Sequence, residues 1–173
     1  MLLQLHTIEA ADQRRLMDIY AESNLENTDY FYPNLTDKEE AVRKVEHDFL
    51  RYLETDFLAS VENALLVWVE QGIWASALRL YRVCEGLYYI EALETRPDCR
   101  RRGYASRLLR ETVELLKKDG PFRLCDNVDK RNEASLATHN ACGFTVVSEN
   151  GYDYLQDETD DGSYGMEFRF SET

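Results

Sequence analysis

Long apolar runs are missing from this sequence, and with them any segment able to cross a bilayer as a helix. The N-terminus, Met1 to His6, lacks a basic start and an extended apolar stretch, so no secretory signal is expected and the reading places the chain in the cytoplasm, away from membranes. Cysteine is sparse. Cys84, Cys99, Cys125 and Cys142 are irregularly spaced with no C-x-x-C pair, and His6, His47 and His139 form no H-E-x-x-H, so free thiols and no metal are expected. Basic residues are outnumbered, 20 Lys and Arg against 33 Asp and Glu, for a formal charge of −13. That balance argues against nucleic acid, which needs a basic footprint, and favours cationic partners. Internal repeats and domain-separating linkers are absent too.

What remains is enough for one domain. A chain of 173 residues, 44% apolar and 12% aromatic, supports a sizeable core over residues 1–173. Leu3, Leu5 and Thr7 suggest a first strand, and helical spacing runs from Glu9 to about Ser23. Asn24 to Thr36, with Tyr30, Phe31 and Tyr32, reads as an aromatic loop. Thr36-Asp37-Lys38-Glu39 reads as a capping box that opens a second helix through Leu53. Ala64 to Glu70, Ile73 to Val83 and Leu87 to Thr95, joined at Gln71-Gly72 and Glu85-Gly86, predict an antiparallel meander. A helix from Tyr104 to Lys118 follows, then a strand at Phe122 to Cys125, a helix at Asn132 to Cys142, and strands at Phe144 to Ser148 and Tyr164 to Phe170. The acidic connection Asp157 to Gly162 is not a calcium loop, because Thr159 and Phe168 occupy ligand positions.

The stretch from Leu93 to Leu109 concentrates the unusual chemistry. A strand enters it, Pro97 suits the strand exit, and Arg100, Arg101 and Arg102 precede Gly103 and Ala105 at the mouth of an amphipathic helix. A helix N-terminus leaves N–H groups unpaired and carries partial positive charge, so small residues there let a phosphate approach. Glu91 is the second oddity. Positions 88 to 93 of its strand are otherwise apolar on both faces, and a buried carboxylate is either a proton acceptor with a raised pKa or one half of an ion pair, with Arg79 or Arg82 on the neighbouring strand.

R-x-x-G-x-A, carried by Arg100, Gly103 and Ala105 after T-R-P-D-C-R, resembles the pyrophosphate loop of the GNAT family of N-acetyltransferases, Q/R-x-x-G-x-G/A. Asn132 to Phe144 resembles the family's N-x-x-A-x-x-x-Y-x-x-x-G-F block: Asn132, Gly143 and Phe144 match, Ala134 is one place off, and His139 stands where tyrosine is usual. The resemblance implies an α+β fold, a mixed and mostly antiparallel sheet of six to seven strands flanked by helices. It implies acetyl-coenzyme A as acyl donor and direct transfer to a primary amine in a ternary complex. Backbone amides from Arg100, Arg101, Arg102, Gly103, Tyr104 and Ala105 would hold the pyrophosphate, Leu93 and Thr95 would align the pantetheine, and Asn132 would contact the cofactor arm. Glu91 would be the base and His139 the acid toward the departing thiolate, with Tyr152, Tyr154 or water as alternatives. Glu22, Glu26 and Asp29 beside Tyr30-Phe31-Tyr32 favour a cationic small-molecule amine, unless that aromatic cluster only pins its loop. A non-catalytic acyl-coenzyme A-binding module, an acetyltransferase of protein lysines or N-termini, and a homodimer stay open.

Overall fold

The computed structural model describes residues 1–171. β1 (Leu2–Leu5) precedes three helices, α1 (Gln13–Ile19), α2 (Ala21–Phe31) and α3 (Lys38–Tyr52), the last continued by a π-helical turn at Leu53–Phe57. β2 (Ala64–Glu70), β3 (Ile73–Cys84) and β4 (Leu87–Thr95) form the meander. α4 (Tyr104–Leu116) returns the chain to β5 (Phe122–Asp129), and α5 (Glu133–Ala141) leads to β6 (Thr145–Ser148). A small ribbon, β7 (Gly151–Asp153) and β8 (Glu158–Asp160), precedes β9 (Ser163–Phe170).

The main sheet has seven strands in the order β1-β2-β3-β4-β5-β9-β6, antiparallel everywhere except at β4–β5. This is the mixed, mostly antiparallel α+β architecture expected. Gln71 and Gly72, both at positive φ (48° and 81°), make the two-residue turn whose twist suits a hairpin. Helices cover both faces. On one, Leu16 and Ile19 of α1 pack with Leu53 and Phe57 over Leu65 and Val67. On the other, Leu108 and Leu109 of α4 meet Leu66, Leu78 and Ile90. Each such fully buried aliphatic side chain contributes about 1.5–3 kcal/mol of transfer free energy.

Two irregularities position the site. β4 pairs with β5 only from Leu87 to Ile90, opposite Arg123 to Asp126, and beyond that the strands part. β4 also bulges against β3: the register passes from Arg79↔Glu91 to Ala77↔Glu94, so Leu78 faces two residues, and Ala92 sits at φ 50°. The bulge resets the inside–outside alternation. Ala92 packs with the α1–α3 core, Leu93 with the α4 core.

Some boundaries differ from the sequence reading. Asn24 to Phe31 is helical, because α1 breaks at Tyr20 and restarts as α2, whose buried residues are the polar Asn24 and Thr28. Asp37, not Thr36, caps α3, accepting from the Glu39 and Glu40 N–H groups at 3.0 and 3.1 Å. β5 continues past Cys125 to Asp129, and the acidic connection contains the β7–β8 ribbon.

Candidate active site

Two clefts open where β4 leaves β5. The first, about 650 Å³, runs between β4, the start of α4, α5 and the rim of α2. Leu93, Thr95, Arg100, Arg101, Gly103, Tyr104, Ala105 and Asn132 all line it. Arg102 is exposed and lies outside that lining. Gly103 is the N-cap of α4, at φ 76°, and offers no side-chain cap, so the leading N–H groups of this 13-residue helix have no side-chain acceptor. Arg100 reaches across to an ion pair with Glu22 of α2, and that hydrogen bond holds the Glu22 carboxyl below its usual range. Asn132 caps α5, its Oδ1 accepting from Ser135 N–H at 3.0 Å.

The second cleft, about 530 Å³, lies between α2, α3 and the meander. Its walls are the rings of Tyr20, Phe31, Phe49 and Tyr52, with Asn24, Asn27, Asp48, Arg51 and Arg79. Ser23 and Glu94 line both clefts and form part of the partition between them. Burial pushes the Glu94 carboxyl up, with hydrogen bonding to Ser23 and the charge of Arg100 acting the other way. Tyr20 ties the break between α1 and α2 to the bulge, donating to the Ala92 carbonyl at 3.1 Å.

Glu91, expected to be the base, lines neither cleft. Its Oε2 accepts from Arg79 Nη2 and from the Tyr81 hydroxyl, each at 2.9 Å, so it is the counter-ion of Arg79. The bulge leaves Glu94 rather than Leu93 facing the α2 side. His139, expected to be the acid, lines neither cleft. It is 1% exposed, Nε2 lies 2.8 Å from Asp126 Oδ2, and Nδ1 lies 2.8 Å from the Ser135 carbonyl. Its separation from Asn132 by two helical turns does not put both on one line, because Asn132 is a cap with non-helical φ and ψ of −87° and 72°. Ala134, Ser135 and Thr138 are the α5 residues that face the cleft. Tyr152 bonds Asp157, and Tyr154 donates to Cys125 Sγ at 3.6 Å.

The cleft-lining residues that the sequence did not single out are Glu94, Ser23 and Tyr20. Glu94 stood one place from the motif, and only the bulge distinguishes it from Glu91.

The sequence profile of the Acetyltransferase (GNAT) family matches residues 14–144. A search of curated proteins returns no match. Among solved structures, the PaiA N-acetyltransferase of Thermoplasma acidophilum, in complex with coenzyme A, superposes with a TM-score of 0.63 at 15% identity, covering 98% of this chain and 99% of that one. The ribosomal-protein-S18-alanine N-acetyltransferase of Escherichia coli gives 0.59 at 20% identity, covering 100% and 96%. YncA of Salmonella typhimurium, a putative acetyltransferase with its cofactor acetyl-CoA, gives 0.55 at 15% identity over 100% and 96%. With three quarters of the chain under the family profile and the fold shared along its length, this chain belongs to the acetyltransferase (GNAT) family.

Proposed function

We propose that this chain is an acetyl-coenzyme A-dependent N-acetyltransferase that acts by direct transfer in a ternary complex. The observation that carries the reading is the partition: Glu94 and Ser23 stand between a cleft suited to a polyphosphate and a separate, aromatic-walled one. The phosphate cleft fits coenzyme A on its own chemistry. The uncapped start of α4, an arginine-bearing loop and the small Ala105 provide amide donors and positive charge with room for close approach. Backbone amides around Gly103 would hold the pyrophosphate, and the backbone of Leu93 to Thr95 would run beside the pantetheine. When bound, the cofactor supplies an acetyl thioester, which a neutral amine attacks.

The chain's own contribution is to deprotonate and orient that amine. Glu94, raised by burial and reachable from the acceptor cleft, takes the ammonium proton, directly or through water. Glu91 positions Arg79. No residue is assigned as acid: both nitrogens of His139 are engaged, and a thiolate, with a thiol pKa of about 8.5, leaves without obligatory protonation.

Calorimetric titration with acetyl-coenzyme A, followed by thiol release in the presence of amines, tests the reading. Saturable binding and amine-dependent thiol release are expected. Absence of binding would overturn it. Binding without release to small amines, lysine peptides or peptide N-termini would leave a non-catalytic binding module.

A further inference from the structure

Arg79 occupies a position that packing alone does not explain. It projects from β3 into the acceptor cleft between the rings of Phe49 and Tyr52, whose centroids lie 5.7 and 5.3 Å from its Cζ. Nη2 bonds Glu91 at 2.9 Å, Nε is buried without any partner, and Nη1 has no protein acceptor among the described residues. A buried donor left unsatisfied is costly, more so when charged, and native proteins seldom keep one without a use. The side chain is 15% exposed, and the cleft it lines is where a ligand can reach it.

We propose that this cleft accepts an amine carrying a carboxylate, an amino acid or close analogue, with Arg79 anchoring the carboxylate while Glu94 receives the ammonium proton. The proposal rests on the acetyltransferase reading and names its acceptor. A carboxylate is the planar acceptor that a guanidinium fork matches. The charges around the cleft agree with a zwitterion. Glu94 lies on the wall shared with the cofactor, Arg79 lies deeper among the rings, and the exposed Arg51 at the rim is paired with Asp48 at 3.1 Å, which Tyr32 also engages. A diamine would set its second cation against the buried Arg79, a repulsion that grows as the local dielectric falls. Of the acidic residues that would draw in a cation, Glu22 pairs with Arg100 and Asp29 with Lys38, while Glu26 lines the other cleft and not this one. Tyr30, 80% exposed, is not part of the wall. Phe31, Phe49 and Tyr52 suit an apolar or aromatic side chain on the acceptor.

Matched acceptors differing only by the carboxylate give the test: phenylalanine against phenethylamine, leucine against isopentylamine, with spermidine as the polycation. Thiol release gives kcat/KM for each, and calorimetry gives binding of each to the protein with and without coenzyme A. The amino acid of each pair should exceed its amine by about 10- to 100-fold, the range a charge-assisted hydrogen bond supports, with spermidine weakest. Arg79→Lys keeps the charge, loses the fork and should erode the preference. Arg79→Gln alone strands Glu91, so the double variant Arg79→Gln with Glu91→Gln is the neutral comparison, and it should level each pair. Equal or better use of the amines by the parent, failure of the parent to bind any amino acid, or a preference that survives in the double variant, would each overturn the proposal. Coenzyme A binding is read separately: its loss in the parent would count against the acetyltransferase reading, whereas intact cofactor binding without carboxylate preference would remove only the role of Arg79.

Discussion

Nε2 of His139 lies 2.8 Å from Asp126 Oδ2, while Nδ1 of the same ring lies 2.8 Å from the carbonyl oxygen of Ser135. Both ring nitrogens thus face acceptors. Burial acts to lower the His139 pKa, but the hydrogen bond and charge of Asp126 outweigh it and the net direction is upward. A raised folded pKa contributes stability that is complete below the unfolded value near 6.5 and is lost as pH rises through the folded value. The melting temperature of the parent should therefore decline above neutrality, more steeply than that of His139→Gln. His139→Leu strands a buried carboxylate and should cost about 3–5 kcal/mol. Parallel pH–stability curves for parent and His139→Gln would remove the pair from this role.

Glu94→Gln and Glu91→Gln should separate base from counter-ion. Because the Glu94 carboxyl is held up, the parent's kcat/KM should rise with pH through that elevated ionisation. Glu94→Gln should lose about 10²- to 10⁴-fold at neutral pH, recovering at higher pH as the amine deprotonates unaided. Glu91→Gln should keep the pH profile and lose about 1.5–3 kcal/mol of stability, the worth of a hydrogen bond to a charged group. Interchanged behaviour of the two variants would restore Glu91 as the base.

Gly103→Val tests the phosphate cradle. A Cβ at Gly103 meets no atom within 4 Å, so the chain has room for it, but φ 76° strains any L side chain by about 1–2 kcal/mol. Circular dichroism should show a folded protein, and calorimetry should show coenzyme A affinity at least about tenfold weaker, the size of one lost charge-assisted contact. Unchanged affinity would place the phosphates elsewhere.

Glu22→Gln should have the opposite sign. Glu22 pairs with Arg100 on the rim of the first cleft, where it would compete with a cofactor phosphate for the same guanidinium. Removing the carboxylate should tighten coenzyme A binding a few-fold and steepen its salt dependence, since the pair is exposed and screened. Calorimetry at two ionic strengths decides it, and weaker binding would mean that Glu22 holds Arg100 in its productive pose.

The meander and α4 were legible because their residues follow a core: β-rich apolar runs bounded by turn residues in β2 and β3, a helical stripe through Leu108, Leu109 and Thr112 in α4. α2 was not, because its inward residues, Ser23, Asn24 and Thr28, face a cleft or a polar junction and leave no apolar stripe to detect, while Leu25 and Tyr30 point outward. The placing of Glu94 was hidden by a single backbone torsion at Ala92, an ordinary residue at positive φ that alternation cannot anticipate. His139 was misplaced by treating the cap Asn132 as a helical residue. The glutamate–arginine pairing, in contrast, was one of the two readings the sequence left open for Glu91.

The short contact between β4 and β5 has a mechanical meaning. Four parallel rungs join two antiparallel plates, β1 to β4 and β5 with β9 and β6, along a seam that ends where the clefts begin. The cofactor cleft takes lining from both sides of the seam, α2 and β4 before it and α5 after it, so neither plate alone encloses that site. A molecule lodged past the end of the seam acts as a strut between the plates. Its binding stiffens a joint the chain leaves thinly bonded, and amide exchange should slow along β5 and β9, in strands it never touches.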